Sequence, residues 1–152
     1  MERPLPPPLD ALPEEAARAF LARGEGPLRE VYGRFAKTPW TPPGTTPVRH
    51  LHALGVLGPT TLLVHGVQVD EEEVGLLAET GTKVVLCPRS NANLEVGEAP
   101  LALYAKHGVE LALGTDSRGS SPDLDVKNEA RFLWGRAEPR LLVRALTRGG
   151  YR

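Results

Sequence analysis

The sequence predicts an α/β fold built from parallel βα units. Three continuous apolar runs of strand length carry the prediction: residues 61–65 (TLLVH), 83–87 (KVVLC) and 110–113 (ELAL). Stretches of helical character separate them, and the spacing from Leu62 to Val84 to Leu111 suits a crossover helix between parallel neighbours. Unbroken rather than alternating apolar character is what a strand covered on both faces requires. The expectation is an α/β fold with about three parallel strands and covering helices.

The elements follow in order. Residues 1–12 form a Pro-rich segment, set apart from 13–152; Pro4, Pro6, Pro7 and Pro8 lack backbone donors and favour extended chain. Pro13 at a first helical position, with Glu14 and Glu15 at the positive dipole end, starts a helix that Gly24 stops. A shorter helix is expected over Leu28–Arg34, with Leu28, Val31 and Phe35 on one stripe. Residues 38–47 (TPWTPPGTTP) read as a loop. Val48–Leu54 suggests a helix ended by Gly55. Asp70–Thr80 is an acid-started, capped helix closed by Gly81, and Ala99–His107 a helix closed by Gly108. Asp123 or Asp125 caps a helix running to Trp134. Pro139 opens the last one, which stops at Gly149–Gly150.

The 152 residues suit one domain, and 16 glycines with 15 prolines imply many turns. With 18 basic and 19 acidic residues the net charge is −1, which argues against a nucleic-acid-binding face. No apolar stretch approaches the roughly 18 residues that would span a bilayer, and the N-terminus lacks a secretory core. The expected location is the cytoplasm, with no membrane partner. A single cysteine, Cys87, excludes an internal disulfide and a multi-cysteine zinc site.

In parallel α/β folds chemistry collects at the C-terminal strand ends. Here these ends carry His65-Gly66, the loop Pro88-Arg89-Ser90-Asn91-Ala92-Asn93, and Thr115-Asp116-Ser117. An imidazole and a carboxylate on neighbouring strand ends suit a divalent metal and activated water, or a proton shuttle. The alternative is a histidine satisfied by a backbone carbonyl and an aspartate capping its loop.

His65-Gly66-Val67, the acid-rich helix, Cys87-Pro88-Arg89-Ser90-Asn91 and Gly114-Thr115-Asp116-Ser117 occur in the order and spacing of a known family. The chain resembles the last third of an amidohydrolase-superfamily barrel, which implies a partial (βα) barrel of TIM type, about three parallel strands with covering helices. The branch is that of the chlorohydrolases and of the cytosine, guanine and S-adenosylhomocysteine deaminases. The resemblance implies a metal-dependent hydrolase of carbon–nitrogen bonds, with zinc or iron as cofactor, that deaminates a small heterocycle or nucleoside-like substrate. It assigns Asp116 to metal binding and to taking a proton from the attacking water. It assigns His65 to polarising or protonating the substrate beside the scissile carbon, and Arg89, Ser90 and Asn91 to contacting substrate or shaping the pocket.

Family members also use a His-x-His pair on the first strand, a histidine after the fifth and a nearby glutamate. The resemblance places the last two at Pro8 and Ala11, where neither residue type stands. A complete barrel needs roughly 250 residues. His50-Leu51-His52 has the His-x-His spelling, but on a helix two residues are about 200° apart and the imidazoles diverge. His107 suits the negative end of its helix. Cys87 is expected in the core and Trp40 in loop packing. Trp134 and Phe132 are expected against the sheet, and Asp70–Glu73 as a solvated helix start.

Three readings follow. The first is a fragment inactive alone, left by a frameshift or truncated reading frame. The second is one subunit of a split enzyme, complemented by an N-terminal polypeptide. The third is a non-catalytic binding or structural domain, closed by a homo-oligomer. The unfilled inner face of a partial barrel predicts poor solubility or a molten, dye-binding monomer.

Overall fold

The computed structural model describes residues 14–36 and 39–150. The Pro-rich segment 1–12, the start signal at Pro13, and the positions Pro8 and Ala11 lie outside the described residues. The chain begins with three helices, α1 (Glu14–Arg23), α2 (Pro27–Phe35) and α3 (Pro47–Ala53). Three βα units follow, with strands β1 (Leu62–Val64), β2 (Lys83–Leu86) and β3 (Leu111–Leu113). Helix α4 (Glu71–Thr80) links β1 to β2. Helices α5 (Pro88–Asn93) and α6 (Leu101–His107) link β2 to β3, and α7 (Val126–Phe132) and α8 (Pro139–Thr147) follow. No helix among the described residues is long and apolar enough to cross a membrane.

The sheet is parallel throughout, in the order β1-β2-β3. Leu63 pairs with Val84 and Val84 with Leu111, so these side chains share one face. That face is the core: Val84, Leu86 and Leu111 pack with Val74 and Leu77 of α4, Tyr104 of α6 and Leu142 of α8. The opposite face is open at the β1 edge, where Leu62 and Val64 are 51% and 52% exposed. Period-two geometry makes this division unavoidable once Leu63 turns inward.

Helix α4 shows how local sequence fixes an element. The Asp70 carboxylate accepts from the Glu73 backbone N–H at 2.9 Å, and the Glu73 carboxylate accepts from the Asp70 N–H at 2.9 Å. This reciprocal cap satisfies two amide groups that a helix start otherwise leaves unpaired. Gly81 closes the helix at φ 70°. Glu73, however, is fully buried rather than solvated. It accepts from Arg18 of α1 at 3.0 Å and from the Thr46 hydroxyl, so the acidic start docks the N-terminal helices.

Other expectations are corrected similarly. Trp134 is 69% exposed and not against the sheet, because α7 ends at Phe132 and the chain has turned outward. Phe132 is half-buried against the core, with the Arg136 guanidinium 5.0 Å over its ring. Phe35, the last residue of α2, is exposed while Val31 of its stripe is buried. Trp40 packs from its loop onto the first two helices, stacking on Phe20 of α1 with centroids 4.3 Å apart and tilted against Tyr32 of α2. His50 and His52 lie on α3, as helical geometry required.

Leu77 has no exposed surface. Leu77→Ala is expected to destabilise the chain by about 2–5 kcal/mol in urea unfolding. Val143→Ala, at a site 59% exposed, should change stability by less than about 0.5 kcal/mol.

Candidate functional site

The site is built on two left-handed strand ends joined by one short helix. After β1 the backbone turns at His65 (φ 70°) and Gly66 (φ 58°), and after β3 it turns at Asp116 (φ 59°). Non-glycine residues in this region cost of order 1–3 kcal/mol each and persist only where surroundings hold them. At the first turn the Tyr104 hydroxyl, fully buried on α6, donates to the Gly66 carbonyl at 2.6 Å. A Cβ at Gly66 would lie 2.4 Å from that hydroxyl, so glycine is required there. The His65 N–H continues the β ladder by donating to the Val85 carbonyl at 2.9 Å.

Residues 88–93 are helical, not the loop that the sequence suggested. Pro88 supplies the fixed φ of a first helical position, and helix α5 therefore presents consecutive residues in different directions. Asn91 reaches His65, with its Oδ1 2.9 Å from His65 Nδ1. Because Oδ1 is an acceptor, Nδ1 carries the proton and Nε2 remains available for exchange. Ser90 reaches the other way, its hydroxyl donating to Asp116 Oδ2 at 2.7 Å. The Ser120 hydroxyl donates to the same oxygen at 3.0 Å. The Ser90 hydrogen bond is the main influence holding the Asp116 carboxyl below the usual aspartate range. Partial desolvation opposes it, and Ser120 and the nearby His65 assist.

Arg89 points away from this pair. Its Nη1 and Nη2 grip both carboxylate oxygens of Asp123, at 2.9 and 2.7 Å, and its Nε donates to Glu129 at 2.6 Å. Its backbone N–H donates to the other Glu129 oxygen at 3.0 Å. The guanidinium is thus saturated by two carboxylates and ties α5 to α7. Its pKa is raised, by Asp123 first and Glu129 second, and Asp123 is held well below the ordinary aspartate range chiefly by Arg89. Of the two candidate caps, Asp125 caps α7, accepting from the Lys127 N–H at 3.0 Å.

The structure therefore brings His65, Ser90, Asn91 and Asp116 together and directs the Arg89 side chain elsewhere. Ser120 and Tyr104 were missed by sequence reasoning. Ser120 follows Asp116 by four residues but carries no spacing signature, and Tyr104 reads as an ordinary apolar helix position. Cys87 is buried as expected, its thiol pushed up to about 12 by burial first and by the Asp116 and Glu129 charges next. His107 ends α6, with Nε2 3.2 Å from Glu71. A cavity of about 260 Å³ behind α5 is lined by Leu86, Asn91, Phe132 and Arg136, and neither His65 nor Asp116 borders it.

The amidohydrolase family model matches residues 34–152. The chain belongs to the amidohydrolase family. It is 47% identical over 128 residues to an aminodeoxyfutalosine deaminase of Deinococcus radiodurans, covering 82% of this chain and 29% of that one. It is 43% identical over 88 residues to a 5-methylthioadenosine/S-adenosylhomocysteine deaminase of Haloarcula marismortui, covering 58% of this chain and 20% of that one. A zinc-bound adenosine deaminase from Xanthomonas campestris superposes with a TM-score of 0.65 at 30% identity. That match covers 80% of this chain and 28% of that one. The chain thus spans less than a third of these relatives, and its three-stranded sheet is part of a (βα) barrel.

Zinc is present in the solved adenosine deaminase, and Asp116 has the right donor chemistry for a hard or borderline cation. Among the described residues, though, no three His, Cys, Asp or Glu side chains converge as a metal site needs. The described part does not fit a complete zinc or iron site.

Two outcomes test these environments. A depressed folded-state pKa at Asp123 contributes stability that is present above its ordinary value and lost as pH falls through the folded value. Thermal melts should therefore show an acid loss beginning near pH ~4, and Asp123→Asn should flatten it. The Cys87 thiol should resist a disulfide reagent at pH ~8 while folded and react at once in denaturant.

Proposed function

We propose that this chain supplies the His65 and Asp116 corner of a barrel hydrolase that cleaves carbon–nitrogen bonds, deaminating an adenosine-like nucleoside. The observation that carries the reading is the adjacency on α5: Asn91 orients the imidazole and Ser90 the carboxylate, so one turn of helix sets both groups. The deaminase names of the curated relatives support the substrate class.

In this reading Asp116, ionised at neutral pH, accepts a proton from the attacking water. The water oxygen bonds to the ring carbon that bears the amino group. His65, with its Nδ1 proton committed to Asn91, uses Nε2 to exchange a proton with the ring beside that carbon. The proton taken by Asp116 passes to the departing nitrogen. The second water proton passes from the new hydroxyl through His65 Nε2 to the ring nitrogen beside that carbon. The carbon–nitrogen bond breaks, and ammonia and the oxo product leave. Arg89 holds α5 in place rather than touching substrate, since its donors are already engaged. Among the described residues, Asp116 is the one that would ligate the family's divalent metal, zinc or iron.

The half-exposed Leu62 and Val64 favour an assembly in which further strands cover the inner face. Activity is therefore assigned to the chain together with a complementing N-terminal polypeptide. The test is co-expression with the part of the Deinococcus radiodurans enzyme that precedes its matched segment. Ammonia release is then assayed from aminodeoxyfutalosine and 5-methylthioadenosine. The isolated chain should release none, the complex should release it, and Asp116→Asn should lower the rate by about 10²–10⁴-fold. A complex that forms without hydrolysing either nucleoside would favour the non-catalytic reading instead.

A further inference from the structure

We infer that Ser90 and Ser120 are the positioning residues of Asp116, fixing its carboxylate through a single oxygen. The inference rests on the reading of Asp116 as the proton acceptor. Both hydroxyls converge on Oδ2, at 2.7 and 3.0 Å, with the two hydroxyl oxygens 2.8 Å apart. No side chain among the described residues donates to Oδ1. Ser90 has no exposed surface and Ser120 is 7% exposed, whereas Asp116 itself is exposed. Two buried hydroxyls thus anchor an exposed carboxylate through one oxygen.

The geometry needs this anchor. Asp116 sits at φ 59°, where no helix or strand neighbours lock its side chain, and an exposed aspartate ordinarily samples several χ1 rotamers. Each serine is itself fixed from a different element. Ser90 is carried by α5, which the Arg89 pairs with Asp123 and Glu129 hold. Ser120 sits in the turn that follows Asp116, its N–H donating to the Ser117 carbonyl at 3.2 Å. The carboxylate is thus held between its own loop and the end of the neighbouring strand. Removing one hydroxyl leaves one side-chain anchor, and removing both leaves only the weaker backbone contact from Ser117.

The experiment reads the Asp116 side chain directly, by three-bond Hα–Hβ couplings in the full chain, without metal or substrate. The wild type should show one large and one small coupling, the signature of a single rotamer. Ser90→Ala with Ser120→Ala should collapse the two toward one averaged value, and each single variant should fall between. Ser120→Thr, which keeps the hydroxyl, should restore the single rotamer in the Ser120 background. Thermal melting of the same variants separates this from general loosening: averaged couplings with an unchanged Tm carry the inference. A double alanine variant that keeps one rotamer would overturn it, as would averaged couplings in the wild type. Because the couplings need no catalysis, the inference fails on them alone, while the deaminase reading fails on ammonia release.

Discussion

The arrangement depends on the buried ion pair between Arg89 and Glu129. Glu129 has no contact with solvent, so its charge must be met by a donor inside the protein. Arg89 meets it twice, through Nε and the backbone N–H, and spends its remaining donors on Asp123. Removing either partner would strand a buried charge, at a cost of about 3–5 kcal/mol. The pair therefore dictates where α5 starts and how it is rotated. Rotation matters because Ser90 and Asn91 are consecutive, about 100° apart around the axis, and reach two different strand ends.

The two strand ends share a further constraint. His65 and Asp116 both adopt backbone conformations that glycine tolerates best, yet neither is glycine. Each is compensated locally: the first turn by the Tyr104 hydroxyl on Gly66, the second by the serine hydroxyls on the carboxylate. The strain sits where the chemistry is expected, on short turns at the rim of a rigid sheet, and the helices behind the sheet supply the compensation.

Much of this was legible in the sequence. The three apolar runs located the strands, and glycines marked helix ends at 81 and 108. The acid-started run from Asp70 marked a capped helix. The strand-end motifs put His65 and Asp116 at one end of the sheet, though on strands separated by β2 rather than on the neighbouring strands expected. What was not legible concerns direction. Residues 88–93 carry three polar side chains in a row, which resembles a loop, and only Pro88 hinted at a helix start. Arg89 was assigned by the family resemblance to contacting substrate or shaping the pocket. Its true partners lie 34 and 40 positions further along the chain, beyond any local pattern. Glu73 looked solvated for the same reason: an acidic run says nothing about an arginine and a threonine arriving from upstream helices.

The C-terminal turn gives the sheet a polarity. In β3, Glu110 and Gly114 bond to β2, so the Leu111 carbonyl points away from it, toward the outer edge. Gly149 sits against that carbonyl so closely that a Cβ would lie 1.9 Å from it. On the opposite side Leu62 turns its amide and carbonyl, and Val64 its amide, away from β2, because Thr61 and His65 are the residues that bond to β2. The Val64 carbonyl accepts from Gly66 at 3.0 Å. A new strand can therefore add at β1 without rearrangement, whereas addition at β3 must first displace Gly149. Growth of the sheet is ordered: one edge is an open template, the other is stoppered by the chain's own tail.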